Sequence, residues 1–146
     1  MATVFHPSSV AEPRAVGAIR EPTYQAYLIL HIGYAVLPIV AGIDKFFHLL
    51  TNWDTYLAPI VPQMLNMEAH TFMLIVGVIE IAAGLLVAVR PRIGAYVVAL
   101  WLFGIIVNLF MLGGALDVAL RDFGLALGAL ALGRISTMFD PRPLGF

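Results

Sequence analysis

Thr71 to Leu112 reads TFMLIVGVIEIAAGLLVAVRPRIGAYVVALWLFGIIVNLFML, two apolar runs hinged at Arg90-Pro91-Arg92. The first run holds a single charge, Glu80, and the second holds none, with Asn108 its most polar side chain. A bilayer-spanning helix needs ~20 mostly apolar residues, because each residue advances 1.5 Å through ~30 Å of hydrocarbon. Thr71–Val89 and Ile93–Leu112 both reach that length. The hinge between them is too short for any arrangement but antiparallel neighbours. This pair predicts a helical membrane protein.

Two further stretches flank it. Ala26–Phe47 is apolar apart from His31 near its start and Asp44-Lys45 near its end. Leu116–Ile135 carries Arg121 and Asp122 in its first turns and is then apolar or glycine from Phe123 to Gly133. The composition agrees: of 146 residues, 61% are hydrophobic and 12% charged, with a mean hydropathy of +0.93. A soluble domain needs about twice that charge to keep its surface solvated. The expected fold is an all-α membrane protein, a four-transmembrane antiparallel helix bundle over residues 26–135. Residues 1–25 and 136–146 are then tails. The first of these lacks an apolar core and holds Glu12, Pro13, Arg14, Arg20, Glu21 and Pro22, so it does not read as a signal peptide.

Four crossings put Arg14, Arg20, Arg90, Arg92, Arg134 and Arg142 on one side and Lys45 and Arg121 on the other. Positive connections stay in the cytoplasm, so both termini are expected there, with the chain as a multi-pass protein of the inner (cytoplasmic) membrane. The opposite side holds the long connection from His48 to His70. Its Leu49, Leu50, Trp53, Tyr56, Leu57, Ile60 and Val61 suit a short helix lying at the interface, then a turn at Pro59 and Pro62. Gly124 and Gly128 form a GxxxG pair in the fourth span, and Gly77 and Gly84 line the second; small residues of this kind let helices approach closely.

Charges inside hydrocarbon are costly and normally face the protein and each other. By helical rise, Asp44, Lys45, Asn108, Arg121 and Asp122 share one layer near the outer face, with Asn108 ~6 Å and Glu80 ~15 Å below it. One reading of the layer is structural, with Lys45–Asp122 and Arg121–Asp44 stapling the first span to the last. The other is a polar pocket, closed above by Trp53 and Tyr56, that holds a head group. Glu80, a lone mid-span carboxyl, could exchange a proton with a ligand or hydrogen-bond a neighbouring helix. His31 reads as a helix–helix contact, since no second histidine matches its depth for haem. His48, Met64, Met67 and His70 offer donors that Cu(I) accepts, but methionine more often fills apolar gaps, and no metal site is assigned. The net charge of −1 argues against a nucleic-acid partner. The absence of cysteine removes disulfides, iron–sulfur clusters and thiolate metal sites.

The residues His31-Ile-Gly-Tyr, Gly42-Ile-Asp44-Lys45, Glu80-Ile-Ala-Ala-Gly84 and Arg121-Asp122-Phe-Gly124 together resemble the DoxX-like family of small four-helix membrane proteins. The resemblance spans about Tyr27 to Arg134. It touches Gly42, Lys45, Glu80, Gly84, Arg121 and Asp122, and it departs from the family at His31, where many relatives carry arginine. It implies a quinone-linked redox setting, since some relatives resemble membrane subunits of thiosulfate:quinone oxidoreductase and others resemble partners of redox-defence enzymes.

The expected function is therefore a small membrane subunit of a quinone-linked redox system. A quinone head group or small oxyanion would sit in the outer pocket. Glu80 and Lys45 would do the chemistry, with Asp44, Asn108, Arg121, Asp122, Trp53 and Tyr56 as ligand contacts. The expected partners are the lipid bilayer and, because electrons need a carrier that this chain has no evident motif to bind, a redox partner subunit or larger membrane protein complex. The alternative is a non-catalytic accessory subunit packed against a larger membrane complex. A transporter fits less well, because the spans show neither breaks nor inverted repeats.

Overall fold

The computed structural model describes residues 21–139; the tail readings on residues 1–20 and 140–146, with Arg14, Arg20 and Arg142, lie outside them. The described chain is all-helical. Helix α1 is Pro22–Phe47, and it opens at Pro22 rather than Ala26. Proline at N1 explains this, because its φ is preset for a helix and its absent N–H is one the first turn leaves unbonded anyway. The helix stops at His48, which turns left-handed at φ 52° and gives its N–H to the Asp44 carbonyl at 2.6 Å.

The connection holds a 3₁₀ turn at Trp53–Tyr56 and a short helix α2 at Ile60–Leu65. The prolines do not end this helix, as the sequence reading had it. Pro59 is its N-cap and Pro62 lies in its first turn, where proline removes no helical hydrogen bond. Helix α3 is Ala69–Val89 and α4 is Pro91–Leu112, with only Arg90 between them. Gly113, at φ 81°, ends α4. Helix α5, Leu116–Phe139, runs past Ile135 into residues expected as tail.

The four long helices pack in a ring, α1 on α3, α3 on α4, α4 on α5 and α5 on α1. Their contacts show alternating directions. His31 meets Val87 while Lys45 meets Glu80, and Phe103 meets Phe123 while Tyr96 meets Gly133. Along the α1–α5 seam, Tyr24 and Tyr27 meet Phe139, and Tyr34 meets Leu125. One end of the ring therefore gathers Arg90, Arg92, Arg134 and the start of α1. The other gathers Lys45, Asn108, Arg121 and the connection, which forms a roof.

Close approach is set by glycine. A Cβ at Gly77 would lie 2.7 Å from the Gly42 carbonyl oxygen, and one at Gly84 would lie 2.6 Å from that of Ala35. Neither distance is tolerable, so α1 and α3 touch backbone to backbone there. The expected Gly124–Gly128 contact is half present, since Gly128 lies against Tyr34 while nothing stands within 4 Å of Gly124. Outward, Ile29, Ile32, Leu100 and Phe110 are all largely exposed. Helices α1, α3 and α4 are each long and apolar enough to cross a membrane, and those exposed faces suit a lipid solvent rather than water. Helix α5 carries Asp117, Arg121, Asp122 and Arg134 and is not among these three.

Candidate functional site

Gly42 and Lys45 stand one turn apart on a face of α1, and Gly77 and Glu80 do the same on α3. Because the glycines bring these faces together, Lys45 and Glu80 meet across the contact. Lys45 Nζ donates to Glu80 Oε2 at 2.6 Å, with the lysine side chain 2% exposed. Glu80 is thus not the lone carboxyl of the sequence reading. Neither expected staple between the first and last spans forms. Lys45 reaches Glu80 instead of Asp122, because the glycine contact places α3 closest to it.

Asp44 has another task. Its carboxylate accepts the N–H groups of Leu49 (2.9 Å) and Leu50, and Trp53 Nε1 at 2.8 Å. It satisfies backbone donors beyond the left-handed His48 and anchors the roof. It does not line the cavity described below. Trp53 in turn lies over Lys45, the ammonium 3.9 Å from its ring centroid. A desolvated cation gains from such a ring face. Lys45 is thereby held between a carboxylate and an indole.

Beside this pair lies a cavity of about 630 Å³. Lys45, Trp53, Tyr56, Glu80, Asn108, Arg121 and Asp122 all line it, so the structure brings together seven of the eight residues singled out from sequence. The rest of its wall is chiefly apolar, with Leu37, Pro38, Val76, Ile105 and Leu125 among the lining residues. A cavity of this size, apolar with a few convergent polar groups, has the form of a small-molecule site.

The polar groups differ in what they have left to offer. Asn108 accepts the Ala58 N–H at 2.9 Å and donates to the Tyr56 carbonyl at 2.7 Å, so its amide is committed to holding the roof. The guanidinium of Arg121 turns away to Asp117, 3.3 Å along its own helix, and its side chain is 73% exposed. Asp122 makes no hydrogen bond or ion pair among the described residues, although Glu80 and Arg121 lie within electrostatic reach. It is the free carboxyl of the cavity.

Other sequence readings resolve simply. His31 Nε2 pairs with the Val87 carbonyl at 2.9 Å, a helix–helix contact. Met64 is 79% exposed on α2. Trp101, Tyr34 and Pro38, not expected there from sequence, also line the cavity. Trp101 sits in the middle of α4 with its Nε1 shut off from solvent beside the Glu80 carboxylate. A tryptophan far from either end of a span, where the interface cannot satisfy it, was a legible signal. Pro38 was another, since proline inside a helix leaves the carbonyl one turn back unbonded.

No protein-family model, curated protein or solved structure matches this chain.

Proposed function

We propose that the chain is a four-span protein of the cytoplasmic membrane, with both termini inside, that binds a quinone head group in this cavity as the membrane subunit of a redox system. The resemblance to DoxX-like proteins belongs to the same reading. Helix α5 is the fourth span: it packs along α4 and α1, keeps Asp117 and Arg121 near its roof end, and turns Asp122 to the cavity. The roof lies at the outer interface.

The observation that carries the reading is the pairing of a largely apolar cavity with charges that nearly cancel. Lys45 is neutralised by Glu80, and Arg121 is drawn off by Asp117. What remains is the carboxyl of Asp122. A small oxyanion would meet no unspent cation, so the quinone reading is favoured over the oxyanion reading. A neutral ring with oxygen at both ends suits the site: quinol hydroxyls donate to Asp122, and a quinone carbonyl accepts from Lys45. The α1–α5 contacts cluster in the N-terminal half of α1, around Tyr24, Tyr27 and Tyr34, which leaves the roof half as the entry for an apolar tail.

Reduction of a quinone takes two electrons and two protons. Asp122 and Glu80 exchange the protons here, and Lys45 offsets the charge on Glu80. The electrons come from a partner redox subunit.

The test is gentle detergent extraction, mass spectrometry of what copurifies, and titration of the purified protein with a short-chain quinol. Asp122→Asn is expected to weaken quinol binding by roughly tenfold or more, the value of one hydrogen bond to a charged group. Its melting temperature should hold, since no partner is lost. Recovery as a stoichiometric part of a large complex, with no quinone and no quinol binding, would instead make this an accessory subunit.

A further inference from the structure

Three side chains of the roof that do not line the cavity come together from three different elements. His48 ends α1, Asp54 belongs to the 3₁₀ turn, and His70 lies in the first turn of α3. One ligand-capable atom from each lies within 4.8 Å of the others. His70 Nδ1 is 3.1 Å from Asp54 Oδ2. The two imidazoles are stacked, their centroids 5.4 Å apart and their planes 30° from parallel. His48 adopts a left-handed backbone, φ 52°, that non-glycine residues rarely take.

A second observation points to a ligand. Asp54 Oδ1 is closed off from solvent and has no hydrogen-bond partner among the described residues. A buried carboxylate oxygen with nothing to accept is unfavourable, and a cation bound by the Asp54 carboxylate would offset its charge.

We propose that His48, Asp54 and His70 form a binding site for one divalent transition-metal ion of the zinc class. Two imidazoles and a carboxylate are donors that such ions take, and water completes the shell. Thioether and thiolate, the donors that favour Cu(I), are not among them. Bonds of ~2.0–2.2 Å place tetrahedral ligand atoms roughly 3.3 Å apart, so small side-chain rotations close the set. The Thr51 carbonyl, 3.4 Å from His48 Nδ1, is an outer contact of the kind that orients a metal-bound imidazole.

The ion joins the end of α1, the turn and the start of α3 at one point. Trp53 adjoins Asp54 and covers Lys45, so the metal fixes the roof over the cavity. This inference is independent of what the cavity binds.

The experiment uses the full chain in detergent, stripped with EDTA, freed of chelator and titrated with zinc chloride against a chromogenic zinc chelator. One zinc per chain is expected, with a rise in melting temperature that EDTA reverses. His70→Ala is expected to lower zinc affinity by more than about a hundredfold, beyond the loss for residues that merely support a ligand. His48→Asn keeps a residue that tolerates the left-handed backbone and should lose affinity in the same way while eluting as wild type. Met64→Leu should bind zinc unchanged. Failure of the wild type to compete with the chelator, or equal affinity in all variants, would overturn the proposal.

Discussion

Lys45 and Glu80 share one hydrogen bond in an apolar bundle, and each would be costly there without the other. Lys45→Met leaves a buried carboxylate unpaired and is expected to destabilise the protein by about 3–5 kcal/mol. The double variant Lys45→Met/Glu80→Gln removes both charges and should recover most of that loss. Thermal unfolding of the three proteins in one detergent measures the difference. A single variant as stable as wild type would show that the pair carries no charge. The double variant also separates the roles of the pair, since a folded bundle that has lost the proposed quinone binding assigns it to the ligand site. The sequence showed both residues but not their partnership. Helical rise places Glu80 well below the layer of Lys45, whereas the long lysine side chain crosses that offset. Asn108 and Asp44 were legible as polar residues near one layer, but what they bond was not, because their partners are backbone groups of the roof and, for Asp44, also the Trp53 indole.

At the scale of the element, α1 and α3 form the tightest seam, and glycine makes it. Gly77→Val drives a branched side chain into the Gly42 carbonyl and the Lys45 stem, so a loss of about 1–3 kcal/mol is expected from overpacking. Gly124→Ala enters open space and should be neutral or stabilising by up to about 1 kcal/mol through helix propensity. Equal melting temperatures for these two variants would refute the seam. The Gly124–Gly128 spacing was read from sequence as one contact, yet only Gly128 meets another helix. Spacing tells which residues share a face, and packing decides how far along that face the neighbour stays close. The roof shows the same limit. Prolines 59 and 62 marked a turn in the sequence, but each sits where the start of α2 needs no N–H.

At the scale of the molecule, the ring of helices gathers Arg90, Arg92 and Arg134 at one end and the roof at the other. The chain has no cysteine, so single cysteines report sidedness without background. Glu21→Cys and Thr137→Cys should react with an impermeant maleimide only in inverted membrane vesicles, and Glu68→Cys only in right-side-out ones. Labelling of Glu21 and Thr137 from opposite sides would remove α5 as a span. Apolar runs long enough to cross a bilayer were fixed by composition alone, because a segment without charges has few solvents open to it other than lipid. The short Arg90 hinge made α3 and α4 antiparallel for a similarly local reason. The site was decided at long range. Its walls come from four helices and a roof, and a side chain's partner depends on which backbones glycine allows to touch. Seven cavity residues were visible one by one in the sequence. That Asp122 stays free, that Arg121 turns outward and that Asp54 meets two histidines are consequences of tertiary packing, since each depends on distances between segments far apart in the chain.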